Sequence, residues 1–243
     1  MTNITSPIKA NENRRTKFLK NVKEATGQLS LSKDQKQKLK QQSEAYQEFK
    51  YQSEEKTLED KLAQFKEILT SQSAEIYECS EGQVSEKLEE ILKEKPYGLD
   101  LLIGKNTKLN VSPNSTINFI EVESFEKNKE NYNLSCALTT AFAAASETGT
   151  LFLSSGCENP TWLNYLATCH IVLLDINSLC QTYEQAFAIG KKDADASNQT
   201  FPPRSINMIS GPSRTADIEQ TLTLGAHGPI ELIVIIYTSE KEG

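Results

Sequence analysis

Three short stretches of this chain hold residue types that do chemistry. The first is Ser210-Gly211-Pro212-Ser213-Arg214-Thr215, in which hydroxyls, a flexible glycine and a guanidinium follow one another. Such donors beside the unpaired N–H groups of a helix start suit a phosphate or carboxylate, so the stretch is a candidate seat for a small anionic ligand. The structural alternative is that Ser213 or Thr215 caps a helix, while Arg214 is an exposed charge or pairs with Asp217. The second is Glu147-Thr148-Gly149-Thr150. Glu147 is the catalytic candidate, a general base or an acceptor for a substrate hydroxyl, with Thr148, Gly149 and Thr150 beside it. Its alternative is a turn carboxylate bonded to backbone N–H groups. The third is Gly225-Ala226-His227-Gly228-Pro229. Glycine and proline fix the backbone around His227, which makes His227 and Gly228 candidate ligand contacts or, alternatively, members of a hydrogen-bonded turn. His170 opens an apolar run and reads as structural.

The elements that must position these residues are legible from periodicity. Ile206–Ile209 is a short apolar run, and the Ser-Gly-Pro-Ser cluster after it marks a turn. Thr215 and Asp217 are helix-start types, and Ile218, Thr221, Leu222 and Gly225 follow at helical spacing. Leu232–Tyr237 is unbroken, β-branched and apolar, as in a strand covered on both faces. Together they predict a strand–helix–strand unit of a parallel sheet. Further strands are expected at 74–79, 99–103, 116–121, 151–153 and 170–174. Helices are expected at 81–95 and at 178–189, the latter stopped by Gly190. Residues 191–203 read as a polar loop able to sit over a pocket, and 122–134 as a loop or short helix. Upstream, 8–26 and 32–50 read as polar helices, and Leu58, Leu62, Phe65 and Leu69 recur at three- and four-residue steps. The expected organisation is a helical extension over 1–72 and an α/β domain over 73–243, its parallel-rich sheet flanked by helices.

The block from Ser210 to Leu222, followed by Leu224-Gly-Ala-His-Gly-Pro229, resembles the C-terminal signature of the LUD-domain family, in particular its lactate utilisation C branch. Glu147-Thr-Gly-Thr-Leu151 resembles that family's central motif, and Asn13-Arg14-Arg15 with Phe18-Leu19 resembles its N-terminal helix. The resemblance implies the fold shared by sugar-phosphate isomerases and CoA transferases (NagB/RpiA/CoA transferase-like). It implies a role in oxidising L-lactate to pyruvate beside two companion proteins, one of them an iron–sulfur protein. Two departures stand out. Ile230 occupies a position where the family usually has a basic residue, and the segment from Glu158 to Cys169 lacks the family's usual arginine and Leu-Pro pair.

Composition bounds the rest. A net charge of −7 and a pI near 5.1 argue against a nucleic-acid partner. Residues 1–23 carry six basic side chains and one acidic, so the negative charge lies downstream. No window approaches the roughly 20 apolar residues of a membrane span. The cysteines at 79, 136, 157, 169 and 180 are odd in number and lack CxxC spacing, which reads as reduced thiols in a cytoplasmic protein. With His170 and His227 alone they form no metal-ligand pattern, so no metal is expected. There is no GxGxxG, no P-loop and no GxSxG, so no cofactor is expected. A stand-alone ligand-binding protein or enzyme of the isomerase and CoA-transferase group stays open as the alternative function.

Overall fold

The structure, a computed structural model, describes residues 54–104, 107, 115–122, 135–156, 159–197, 199–216, 222–225 and 227–239, with scattered positions between 17 and 41. Apart from those scattered positions and Val122, the expected helices over 8–26 and 32–50 and the expected loop over 122–134 lie outside the described residues. The chain divides into two units, Met1–Glu54 and Glu55–Gly243, and every sheet among the described residues belongs to the second.

Helix α1, Leu58–Ser71, starts where the sequence provides a cap: the Thr57 hydroxyl oxygen accepts from the Asp60 N–H, and Glu59 and Asp60 sit in the positive first turn. Its Leu62, Phe65 and Leu69 face the core, and Phe65 and Leu69 are fully buried, each contributing about 2–3 kcal/mol of apolar transfer. It ends in a Schellman turn. The Ser73 N–H reaches the Thr70 carbonyl at 2.9 Å and the Ala74 N–H reaches the Leu69 carbonyl at 3.0 Å, with Ser73 at φ +67° where glycine is usual.

The main sheet has six strands, all paired in parallel. They are β1 (Glu75–Ser80), β2 (Asp100–Ile103), β3 (Asn118–Glu121), β4 (Cys136–Ala141), β7 (Cys169–Asp175) and β12 (Glu231–Thr238), in the order β1-β12-β7-β4-β2-β3. Alternate side chains of β7 and β12 feed two cores. Val172, Leu174, Leu232, Val234 and Ile236 pack with α1, while Ile171, Leu173, Ile233 and Ile235 pack with Val84, Leu88, Ile91 and Leu92 of α2 (Val84–Glu94). Both faces are therefore covered, which is why β12 reads as an unbroken apolar run. A helical turn, α3 (Leu163–Leu166), leads into β7.

A second sheet has the order β8-β5-β6-β9. Its members are β5 (Ala143–Ala145), β6 (Thr150–Ser154), β8 (Leu179–Cys180) and β9 (Ile206–Ile209), with β5–β6 and β6–β9 antiparallel and β5–β8 parallel. The small residues noted over 137–145 thus form two strands, and Phe142 between them packs on the helix α4 (Tyr183–Ala196) and on Phe201.

Two expectations are corrected. The first is the helix after Thr215. The chain instead makes the antiparallel hairpin β10 (Arg214–Ala216) and β11 (Leu222–Leu224), and β9 joins the second sheet, so no strand–helix–strand unit exists here. Thr221-Leu-Thr-Leu224 alternates with period two and is half β-branched, a strand signal that outweighed the helical spacing. The second is Gly190, which does not stop a helix but lies buried inside α4, so residues 191–196 of the expected loop are helical instead. A Cβ there would come within 2.7 Å of the Phe142 and Phe201 rings, so the glycine serves ring packing rather than termination.

Candidate functional site

The Glu147–Thr150 motif forms the turn between β5 and β6. Gly149 sits at φ +60°, and a Cβ on it would lie 2.7 Å from Ile68 Cγ2, so this glycine lets the turn dock on α1. Glu147 is half-buried and faces Gln181: its N–H donates to the Gln181 carbonyl at 3.2 Å, and Gln181 Nε2 donates to Glu147 Oε1 at 3.1 Å. Thr150 is fully buried and its Oγ1 is a hub. It lies 2.8 Å from Thr148 Oγ1, 2.9 Å from the Tyr183 hydroxyl and 2.8 Å from Ser210 Oγ. One hydroxyl can donate once and accept twice, so all three contacts can be hydrogen bonds. The central and C-terminal motifs, distant in sequence, meet at that oxygen.

The 210–215 stretch departs from the expected anion seat. No helix begins there. The Arg214 guanidinium donates to the Gln72 carbonyl at 2.6 Å and to the Ser73 hydroxyl oxygen. It thereby caps the C-terminus of α1, where a cation meets the negative end of the helix dipole and an orphan carbonyl. Gly211 completes the junction, since a Cβ there would sit 3.0 Å from Gln72 Cβ. Thr215 lies in β10 opposite Thr223. Ser213 ties the two parts of the C-terminal block together. Its N–H donates to the Pro229 carbonyl at 2.8 Å, its carbonyl accepts from the Gly225 N–H at 3.0 Å, and its Oγ accepts from the His227 N–H at 3.4 Å. A Cβ on Gly228 would lie 3.2 Å from Ser213 Cβ, which accounts for glycine there.

Ser210, Gly211, Ser213, His227 and Gly228 nevertheless line one cavity of about 230 Å³. Asn164 and Tyr165 of α3, His170 of β7 and Leu232 of β12 are also in its wall, with Met208, Ile209, Pro212 and Pro229. His170 and Leu232 are each the second residue of their strand, so the cavity opens at the amino ends of the parallel strands. Glu147, Thr148, Gly149, Thr150 and Arg214 are not among its described lining residues. His170 is fully buried, with Nε2 2.8 Å from Thr139 Oγ1 and Nδ1 without a partner. Burial pushes its pKa down to about 4, so the ring is neutral at pH 7. Asn164 is 3 % exposed and its Oδ1 also lacks a partner. Neither residue was among the sequence candidates. The available signal was a polar side chain opening the apolar run His170–Leu174, because a buried imidazole needs partners. Asn164 gave no such signal.

Among the described residues no group of three or more His, Cys, Asp or Glu could hold a metal ion, and no helix is long and apolar enough to cross a membrane. The described cysteines, Cys79, Cys136, Cys169 and Cys180, are free thiols.

Comparison with known proteins places this geometry. A Bacillus subtilis protein named lactate utilization protein C is 28 % identical over 176 residues, 70 % of this chain and 72 % of the relative. A Macrococcus caseolyticus protein of the same name is 24 % identical over 203 residues, 78 % of this chain and 85 % of the relative. An uncharacterized protein of Neisseria meningitidis is 32 % identical over 103 residues, a match spanning only 42 % of each chain. Among solved structures, a DUF162 family protein from Deinococcus radiodurans superposes with a TM-score of 0.55 at 19 % identity, covering 75 % of this chain and 99 % of that one, and so shares the α/β fold. The LUD domain itself matches residues 62–237, from within α1 to the penultimate residue of β12, and the chain is a member of the LUD-domain family.

Proposed function

We propose that this protein is a non-redox subunit of a cytoplasmic lactate utilisation system, supporting oxidation of L-lactate to pyruvate beside companion proteins, one of them an iron–sulfur protein. The observation that carries the reading is the alignment to relatives named lactate utilization protein C over 70–78 % of this chain. The sequence supports the non-redox part, since it contains neither a dinucleotide fingerprint nor a P-loop. The electron carriers then reside in the companions, and this chain contributes a fold with a small polar cavity. A stand-alone ligand-binding protein is the second reading, favoured by the cavity that Ser210, Gly211, Ser213, His227 and Gly228 line together.

The test is complementation. A bacterium that grows on L-lactate and lacks its own lactate utilization protein C should regain growth and lactate consumption when this chain is expressed. A tagged copy should retain an iron–sulfur protein on purification. Deletion of the native gene with undiminished lactate consumption would remove the reading.

A further inference from the structure

We propose that a second cavity, beside the carbonyl end of α4 and lined by Asp193, Phe142 and Phe201, binds a small alkylammonium ion. This inference goes beyond the lactate role and stands without it, because the described linings of the two cavities share no residue.

Helical spacing aims the carboxylate. Gly190, Asp193 and Ala194 of α4, with its C-cap Ser197, all line this cavity of about 300 Å³. Steps of three and four residues put them on one face of the helix. Gly190 and Ala194 are buried, whereas Asp193 is exposed, so its carboxylate stays within reach of a solute. The rings meet the same face one turn earlier, since a Cβ on Gly190 would come within 2.7 Å of both Phe142 and Phe201. Side chains three residues apart on a helix stand roughly 5–6 Å apart at Cβ, which sets the carboxylate about one turn from the rings. Both rings are half-buried and lie edge to face, with centroids 6.4 Å apart. Asn159 also lines the cavity, and its Nδ2 donates to the Ser154 carbonyl at 2.9 Å, which leaves Oδ1 as an acceptor.

Charge decides the class. Asp193 is the one residue of charged type among the described lining residues. It stands with Asp195 in the last turn of α4, at the negative end of the helix dipole, where a cation is favoured and an anion is not. No basic residue occupies that turn, and among the described residues neither carboxylate has an ion pair. The helix thus ends on two acids without a countercharge. An anionic ligand would meet repulsion, and an uncharged one would leave the end of α4 as it is. A metal ion lacks its ligand set, because no group of three His, Cys, Asp or Glu gathers among the described residues. An alkylammonium ion uses both features of the wall. Its N–H groups donate to Asp193, and a chain of about four carbons covers the ~5–6 Å to the Phe142 and Phe201 rings, burying apolar surface there.

The probe is n-butylammonium chloride, set against 1-butanol and sodium butyrate, titrated into the ¹⁵N-labelled full-length protein at pH 7 and low ionic strength. The Gly190 and Ser197 amide resonances are the readout. The expected result is a saturable shift of both with butylammonium, weakening as sodium chloride is added, with affinity about tenfold lower for butanol and in Asp193→Asn. Asp195 is two residues on and faces away, so Asp195→Asn should change the affinity by less than about twofold. Should Asp193→Asn fail to fold, the native protein's discrimination between butylammonium and butanol decides. The proposal is overturned if butylammonium gives no saturable shift, in which case only water fills the space. It is equally overturned if butanol or butyrate binds as tightly, or if Asp193→Asn binds butylammonium unchanged. Equal weakening in Asp193→Asn and Asp195→Asn also overturns it, because cations would then gather diffusely at the acidic helix end.

Discussion

Lowering the pH from 7 toward 4.5 charges histidine in the unfolded chain well before it charges His170 in the folded one. An unfolded histidine titrates near 6.5, while burial holds His170 down at about 4. Below about 6.5 the unfolded state thus binds a proton the native state refuses, and stability falls with pH at up to about 1.4 kcal/mol per pH unit. The loss is complete near pH 4, where the folded ring finally takes the proton, and sums to about 3 kcal/mol across that interval. The sign is that of a depressed pKa: the stabilisation is fully present above 6.5 and disappears as acid is added. Urea unfolding at pH 7, 5.5 and 4.5, on the native protein and on His170→Gln, isolates the effect, since His227 and the carboxylates are common to both and cancel in the difference. The variant should lose roughly 2–3 kcal/mol less than the native protein between pH 7 and 4.5. Parallel pH profiles would refute the reasoning, as would a folded-state His170 resonance that titrates near 6.5, because either would mean the ring is hydrated.

Three further outcomes follow from the packing around α1 and α4. Arg214→Ala removes the guanidinium from the end of α1 and should lower stability by about 1 kcal/mol, read as a drop in Tm by circular dichroism. Gly149→Ala forces a side chain into φ +60° and to within 2.7 Å of Ile68, so it should cost about 2–3 kcal/mol by denaturant unfolding, partly recovered in the double variant with Ile68→Ala. Gly190→Ala should destabilise by about 1–3 kcal/mol, although alanine is the better helix former, because the Phe142 and Phe201 rings leave no room; a rise in Tm would show that the rings yield.

The parallel sheet was readable because its central strands carry their burial in the sequence. Leu232–Ile236 and Ile171–Leu174 are continuous apolar runs, and nothing but a strand covered on both faces suits them. The hairpin was misread because Ile218, Thr221, Leu222 and Gly225 satisfy helical spacing, while the competing alternation of Thr221–Leu224 is only four residues long. A short window cannot separate the two periods. Gly190 was misread because its reason lies in rings from Phe142 and Phe201, residues distant in the chain. The same holds at the cavity. Ser210, Gly211, Ser213, His227 and Gly228 were visible as unusual types in unusual order, and they do converge. Arg214 looked like a ligand-binding group because spacing alone does not reveal that its hydrogen bonds go to Gln72 and Ser73. His170 and Asn164 look ordinary until tertiary packing buries them and leaves His170 Nδ1 and Asn164 Oδ1 unpaired.

Strand β12 has a consequence for how the protein is made. Among the described strands it comes last, yet it lies between the first of them, β1, and β7, with Glu75 opposite Ile233 and Cys169 opposite Glu231. On a ribosome emitting the chain from its amino end, β1 has no neighbour among the described strands of its sheet until β12 emerges. The apolar faces of α1 and β7 wait beside it, exposed and prone to self-association. A nascent chain halted before Glu231 would therefore be a substrate for chaperones and proteases rather than a smaller folded protein.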